Sequence, residues 1–371
     1  MRWPSEWSHP SALDLVRNSP VNCLLVEQKS PLISEMRKRG LTTLAPAVAP
    51  PEVTVVKGEW PGVRVSEGGT SAGPTGVPWV DSNGWAVRLA GARRPGKTVW
   101  VDTPAPQKTV ITATAYVLAI ADAAMYGGRW IINPGDKPEP ATWNRMMAAV
   151  RFFAAHRAWN GYRAQAVVGI ESSGEELMNL TARQNQPYRI VNGNESWEGL
   201  KAILYAPSDG PGAEMRRKLL EFAGAGGLVI TDGTWAEAEG AAGDPHSRYK
   251  IRKVGKGRIA VGDLSDPYQA ATDAQILLSH RHDLVRFWNG GSLGSYLTAP
   301  ASGKGALLQI VNYAGRPGAD PVSVRVAGPY REARIQQLDD KPARPLRAIQ
   351  QKGAIELHLP AIPVYAAIEL I

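Results

Sequence analysis

Val99-Trp100-Val101-Asp102 carries the pattern from which the fold is read. It is an apolar run that closes on a carboxylate. Similar runs in the first 140 residues are Leu24-Leu-Val-Glu27, Val63-Arg-Val-Ser-Glu67, Pro78-Trp-Val-Asp81 and Trp130-Ile-Ile-Asn-Pro-Gly-Asp136. Several alternate with helical patterns, which predicts repeated βα units around a parallel sheet. In such folds the C-terminal strand ends share one face, where side chains from distant parts of the chain converge. A ring of acids there suits sugar-cleaving chemistry, which works through paired carboxylates. Each acid also has a plainer reading as the cap of the next helix. Asp81 fits that best, since Ser82, Asn83 and a helical run follow it. Asp102, followed by Thr-Pro-Ala-Pro, and Glu67, followed by Gly-Gly, fit it poorly.

The 371 residues are 44% hydrophobic and 20% charged, which is globular and not disordered composition. This length predicts about two or three domains. No apolar stretch reaches spanning length; the longest helical candidate, residues 109–126, carries Thr112, Thr114 and Asp122. The single cysteine, Cys23, lies in an apolar run and excludes an internal disulfide or a cysteine-rich metal site. The opening Met-Arg-Trp-Pro-Ser-Glu lacks a signal-peptide core, so the expected compartment is the cytoplasm, or the periplasm or exterior if an export signal was trimmed.

A net charge of +8 raises the question of nucleic acid. The densest basic patch is Arg248, Lys250, Arg252, Lys253, Lys256 and Arg258, but Tyr249 and Ile251 alternate with the charges before Val-Gly-Lys-Gly-Arg. That is a strand with one wet face entering a glycine turn. Neither nucleic acid nor a membrane is expected as a partner. His280 and His282 are two apart, and His9, His156, His246 and His358 are isolated, so no metal and no cofactor are expected.

Three regions follow. Residues 1–160 hold strand candidates at 21–27, 41–45, 53–56, 63–66, 78–81, 98–102 and 130–133, with helices at 31–39, 83–93, 109–126 and 140–159. A full eightfold barrel takes about 250 residues. The expectation is therefore a short or incomplete (β/α) barrel, with loops such as 68–76 replacing helices. Residues 161–290 give a cleaner α/β pattern: strands at 166–170, 188–191, 202–205 and 228–231, helices at 174–184 and 213–223. The Gly-Ala-Gly-Gly stop at 224–227 ends a helix before a β-branched run. Residues 266–288 read as one long helix or two short ones. Residues 291–371 carry only short strands, at 306–312, 322–326, 333–338, 354–359 and 365–370, spaced as in a β-sandwich.

Two motif matches lack their required context. Gly91-Ala-Arg-Arg-Pro-Gly96-Lys97-Thr98 has the letters of a phosphate loop. That loop needs a helix after it, and here a helix precedes and a strand follows. Gly69-Thr-Ser71-Ala-Gly73 has the letters of a nucleophile elbow, but Pro74, Gly76 and Pro78 forbid the helix that must follow the serine.

The order of the regions resembles glycoside hydrolases of the family-42 β-galactosidase type. The resemblance rests on Ala202-Ile-Leu-Tyr-Ala-Pro207 with Leu219-Leu-Glu-Phe-Ala-Gly-Ala-Gly-Gly-Leu-Val-Ile230, on Val254-Gly-Lys-Gly-Arg-Ile259, and on Leu308-Gln-Ile-Val-Asn-Tyr313. It implies a barrel over 1–160, a flavodoxin- or class I amidotransferase-like α/β domain over 161–290 without the nucleophilic cysteine of that fold, and a C-terminal β-sandwich over 291–371. It further implies a homo-oligomer. Counting strands as the family does makes Glu67 the acid/base and Asp102 the nucleophile. The barrel is about half the expected length, no asparagine precedes Glu67, and the nucleophile is an aspartate, so a degenerate relative is also consistent with the resemblance.

Nine of twelve tryptophans precede residue 160. Trp60, Trp79, Trp85 and Trp100 lie near the acids in sequence. Flat aromatic faces pack against sugar rings, and equally fill cores. The expectation is a glycosidase with a carbohydrate substrate: Glu67 and Asp102 catalytic, with Glu27, Asp81, Asp136, Trp60, Trp79 and Trp100 binding substrate. The alternative is an inactive carbohydrate-binding or scaffold protein of the same architecture.

Overall fold

The computed structural model describes the chain apart from residues 67–68, 73–81, 105–110, 135–137, 193–194, 208, 233–234, 236–241, 244–247, 319 and 339–341. The fold is mixed α/β.

The N-terminal region runs β1 (Cys23–Leu25), α1 (Ile33–Lys38), β2 (Thr42–Leu44), β3 (Val53–Lys57), β4 (Val63–Ser66), β5 (Gly69–Ala72), α2 (Gly84–Arg93), β6 (Thr98–Asp102), α3 (Ala113–Met125), β7 (Arg129–Trp130) and α4 (Pro140–Ala155). β2 pairs with β1 and β3 pairs with β6, which pairs with β7; all three pairings are parallel. Residues 1–3 join the two groups. Arg2 bridges Leu25 in parallel, and its N–H donates to the carbonyl of Ile132. The result is an open ribbon in the order β2, β1, residues 1–3, β7, β6, β3. Neighbours in sequence are neighbours in space, as in a barrel, yet among the described residues nothing joins β2 to β3. The expected barrel is thus found only as this open ribbon.

One reason lies in β4. It was expected to be a barrel strand, but it turns back on β5 as an antiparallel hairpin. The stretch 69–72, read from its glycines as loop, is the second arm of that hairpin. The same pairing places Ser71 inside a strand, which disposes of the nucleophile-elbow reading. α2 precedes β6 across the phosphate-loop match, as the reversed order predicted.

α3 is apolar on every side and is accordingly buried all round. Thr112 caps it, accepting from the N–H of Ala115 at 3.2 Å. α4 starts with Pro140 in its first turn, where no amide donor is needed. α2, α3 and α4 share one core with Val99 and Val101 of β6, and that core continues into Leu307, Val311, Tyr313 and Tyr365 of the C-terminal region.

The middle region comprises β8 (Arg163–Ala164), β9 (Val168–Glu171), α5 (Glu175–Arg183), β10 (Tyr188–Val191), β11 (Ala202–Tyr205), α6 (Ala213–Gly224), β12 (Leu228–Thr231), β13 (Ala242–Gly243), β14 (Lys250–Val254), β15 (Gly257–Val261) and α7 (Pro267–Leu278). Seven strands form one sheet in the order β10-β9-β11-β12-β15-β14-β13. The first five are mutually parallel, and β14 and β13 extend the sheet antiparallel. Alternation along the strands sorts the side chains. Ala202, Leu204, Leu228 and Ile230 face α5 and α7, while Ile203 and Val229 face α6. This is the expected doubly wound arrangement. The basic stretch is the β14–β15 hairpin, with Lys253 opposite Arg258.

The C-terminal region adds β16 (Val285–Trp288), β17 (Leu293–Ala299), β18 (Ala306–Asn312), β19 (Val322–Ala327), β20 (Ala333–Gln337), β21 (Arg344–Leu346), β22 (Ala348–Gln351), β23 (Ala354–Leu359) and β24 (Tyr365–Leu370). Sheet β16-β19-β23-β22 packs on sheet β21-β20-β24-β18-β17-β8 across a shared core. Residues 266–288, read as one long helix or two short ones, begin with α7 but end in β16. Its Val285 and Phe287 pair with Val326 and Val324. The six-stranded sheet is covered on both faces: Leu308 and Ile310 point into the sandwich, Leu307 and Val311 towards the helices. That accounts for the unbroken apolar run in β18.

A buried carboxylate ties these parts together. Asp122, in the middle of α3, is fully buried. It accepts from Tyr313 Oη at 2.6 Å, Ser82 Oγ at 2.8 Å, the Asn83 N–H at 2.9 Å and Asn83 Nδ2 at 3.0 Å. Burial pushes its pKa up, against the pull of those four donors. Removing the phenol in Tyr313→Phe should cost about 1–3 kcal/mol in denaturant unfolding, since one lobe of a buried acceptor loses its donor. A raised folded-state pKa also fixes a sign. As pH rises above about 4, the unfolded chain loses this proton first, so the Asp122 contribution to stability should fall until the folded carboxyl also ionises. Asp122→Asn should remove that falling component from a plot of unfolding free energy against pH.

Candidate functional site

The C-terminal ends of the ribbon meet at a cleft of about 280 Å³. Arg2, Glu6, Glu27 and Asn133 supply its polar groups, and Leu25, Pro46 and Pro134 its apolar walls. They come from four ribbon segments: the N-terminal residues, β1, β2 and β7. β1 stops at Leu25, the N–H of Val26 still pairs with the carbonyl of Leu44 at 2.8 Å, and Glu27 is the first side chain clear of the ribbon. Asn133 follows β7, and its Nδ2 donates to the carbonyl of Thr103 at 3.2 Å, tying two strand ends together.

Asp102 closes β6. Alternation buries Val99 and Val101 against the helices and turns Trp100 and Asp102 to the other side of the ribbon. There Asp102 meets Arg2. Arg2 Nε donates to Oδ1 at 3.1 Å and Nη2 donates to Oδ2, a two-pronged ion pair in which both carboxylate oxygens are engaged. Both side chains stay roughly a quarter exposed, 29% and 26%. The pair thus joins β6 to residues 1–3 and sets Arg2 in the wall of the cleft.

The segment that continues from β3 holds the neighbouring strand end. The N–H of Gly58 donates to the carbonyl of Asp102 at 2.9 Å. A Cβ on Gly58 would lie 2.3 Å from Val101 Cγ1, 2.7 Å from Asn83 Oδ1 and 2.9 Å from Thr103 Oγ1. Only glycine fits there. Asn83 continues the link: its Oδ1 accepts from the N–H of Glu59 at 2.8 Å and its Nδ2 donates to the carbonyl of Glu59 at 2.9 Å and to Asp122.

Of the expected site residues, Glu27 lines this cleft and Asp102 reaches it through Arg2. Trp100 sits half-buried on the same side of β6 as Asp102. Trp60 is half-buried: its ring lies edge-to-face with Tyr116 and Trp130, at 5.4 and 5.1 Å, and its Nε1 donates to the carbonyl of Pro104 at 3.0 Å. Trp85 is partly buried against the core of the middle region. Glu67, Asp81, Asp136 and Trp79 lie outside the described residues. The strand leading to Glu67 belongs to the separate hairpin and not to the ribbon. Sequence reasoning missed Arg2, Glu6 and Asn133. Asn133 stood within the run ending at Asp136, whereas Arg2 and Glu6 carry no local signal. Among the described residues, no group of three or more His, Cys, Asp or Glu side chains is arranged to hold a metal, and no helix is long and apolar enough to cross a membrane.

No protein-family model matches the sequence, and no curated protein is similar to it at a significant level. Solved structures do resemble it. An α-L-fucosidase, isoenzyme 2 from Paenibacillus thiaminolyticus, superposes with a TM-score of 0.55 at 12% identity, covering 77% of this chain and 62% of the fucosidase. A rhamnosidase from Novosphingobium sp. PP1Y gives 0.50 at 14% identity, over 91% of this chain and 38% of the rhamnosidase. A cold-adapted β-galactosidase from Rahnella sp. R3 gives 0.46 at 11% identity, over 78% of this chain and 57% of that one, too slight to assign the β-galactosidase type. The fold is one shared with glycoside hydrolases, and the chain spans less than two thirds of each of these enzymes.

The Arg2–Asp102 pair generates a direct expectation. In a double-mutant cycle with Arg2→Ala and Asp102→Asn, unfolding free energies should show a coupling of about 1 kcal/mol, the size for a partly exposed but two-pronged pair. Additive effects would mean that the two side chains do not hold β6 to residues 1–3 in solution.

Proposed function

We propose that this protein acts on carbohydrate, as a glycoside hydrolase whose sugar site is the cleft at the strand ends of the ribbon. The observation that carries this reading is the coincidence of two facts. The fold is shared with a fucosidase and a rhamnosidase, and the place where strand ends converge holds carboxylates, a guanidinium and an amide around an apolar wall. Such a mix of fixed polar groups and apolar surface suits a ring that is polar at its edges and apolar on its faces.

In this proposal the open ribbon is a shortened (β/α) barrel, the middle region descends from an amidotransferase-like domain, and the order of regions follows the family-42 arrangement that the sequence resembles. Glu67 and Asp102 remain the proposed catalytic pair, with Glu27, Asp81, Asp136, Trp60, Trp79 and Trp100 as proposed substrate contacts. Glycoside cleavage needs one protonated and one ionised carboxyl, about 5–5.5 Å apart for retention and about 6.5–9.5 Å for inversion. Arg2 occupies both oxygens of Asp102. Attack by Asp102 would require Arg2 to turn aside. That engagement is the specific observation favouring the second reading, a sugar-binding protein that kept the fold and lost the chemistry. A homo-oligomer is proposed on the sequence resemblance alone.

The test is turnover of aryl α-L-fucosides, α-L-rhamnosides and β-D-galactosides by the purified chain. The hydrolase reading expects release of the aryl group from at least one of them. It also expects Asp102→Asn and Glu67→Gln each to lower kcat by about 10²-fold or more while the far-ultraviolet spectrum is kept. Binding of a sugar without turnover would establish the second reading. Neither binding nor turnover would remove both.

A further inference from the structure

A second, larger concavity lies beside the strand-end cleft. It is a groove of about 620 Å³ between a 3-10 helix, Pro10–Leu15, and the first turns of α4. Its floor is Trp143 and Met147, both buried; its walls carry Ser11, Asp14, Asn144 and Arg151. The walls are set in place. Asp14 Oδ1 accepts from Arg39 Nη1 at 3.1 Å and pairs with Arg17 at 3.1 Å, and Arg151 Nη2 donates to the carbonyl of Asn18 at 3.0 Å. An apolar floor under walls of hydrogen-bonding side chains again suits sugar rings. The volume falls in the range of about 300–1,000 Å³ typical of ligand sites, well above that of the first cleft.

The two concavities are lined by different residues of the same two chain segments. Glu6 lines the first and Ser11 the second; Pro134 lines the first and Pro138 the second. Four residues of chain span at most about 14 Å, so the two lining positions at Pro134 and Pro138 cannot be further apart than that. Both also lie where chain leaves the ribbon, after residues 1–3 and after β7.

We infer that the groove between Pro10–Leu15 and α4 is an extension site for a longer carbohydrate chain, whose terminal residue sits in the strand-end cleft. This rests on the carbohydrate reading above and adds the substrate class: an oligosaccharide or polysaccharide end, not a free monosaccharide. The groove carries the further rings, with Asn144 and Ser11 as hydrogen-bonding side chains and Trp143 beneath them.

Calorimetric binding of galacto-, rhamno- and fuco-oligosaccharides of one to six residues tests it. In at least one series the affinity should rise about tenfold or more between the monosaccharide and the longer members. Asn144→Trp, which fills the groove from an exposed position, should flatten that length dependence so that the ratio of long-chain to monosaccharide affinity falls towards one. Circular dichroism verifies that the variant folds; if it does not, Ser11→Trp fills the same groove from the opposite wall. Binding of monosaccharide with no gain in length, or a gain that survives filling the groove, overturns the extension site while leaving the sugar cleft standing. No binding of any member overturns both.

Discussion

Asp122 is the constraint on which the assembly turns. A carboxylate with no exposure is costly unless its oxygens are fully partnered, and here the partners come from two distant places: Ser82 and Asn83 approach from the start of α2, and Tyr313 arrives from beyond β18. Loss of any one partner would leave a buried acceptor short. The N-terminal helices and the C-terminal sheet are therefore matched in position to within hydrogen-bond tolerance. Gln309 reinforces the same junction, donating to the carbonyl of Met125 at 3.1 Å and accepting from Tyr365 Oη at 2.8 Å. Arg88 does so on the side of the middle region, where its guanidinium lies 3.8 Å over the ring of Tyr188 and 5.0 Å from that of Tyr296.

That junction reaches the cleft through few steps. Asn83 binds Asp122 with its backbone N–H and Nδ2, and holds Glu59 through both ends of its side-chain amide. Glu59 follows Gly58, whose N–H binds the carbonyl of Asp102. The side chain of Asp102 then fixes Arg2 in the cleft wall. A buried polar network of this kind restricts the strand ends more than apolar packing would, because each hydrogen bond fixes direction as well as distance. The C-terminal β region thus supports the site without contributing to its lining.

Much of this was legible in the chain. Strands at 188–191, 202–205, 228–231, 306–312, 354–359 and 365–370 stand at the residues read from the sequence, because glycine stops and dense β-branched runs mark both their ends. Readings failed where tertiary partners decide. Residues 285–288 continue a helical-looking stretch but find an edge on β19. The glycine-rich 69–72 becomes a strand because β4 offers a partner. Residues 1–3 carry no strand signal at all, since their pairing is with segments 22 to 130 residues away. The lone acid in the apolar run 109–126 was the one visible trace of the central network. A carboxylate amid nine other buried helical residues has to be partnered, though its partners cannot be read from local sequence.

The Arg2–Asp102 pair bears on chemistry as well as on structure. A guanidinium bound by both prongs fixes the orientation of the carboxylate beside it. The same contact lowers its reactivity, because both lone-pair directions that would meet a substrate are taken up. An enzyme using Asp102 would have to exchange the Arg2 contact for one with the sugar, so that substrate hydroxyls replace guanidinium N–H groups. A binding protein has no such requirement, and for it the pair is simply a rigid wall. Arg2 is therefore the residue that separates the two readings most sharply: the same side chain that builds the cleft also governs whether the carboxylate beside it is free to react.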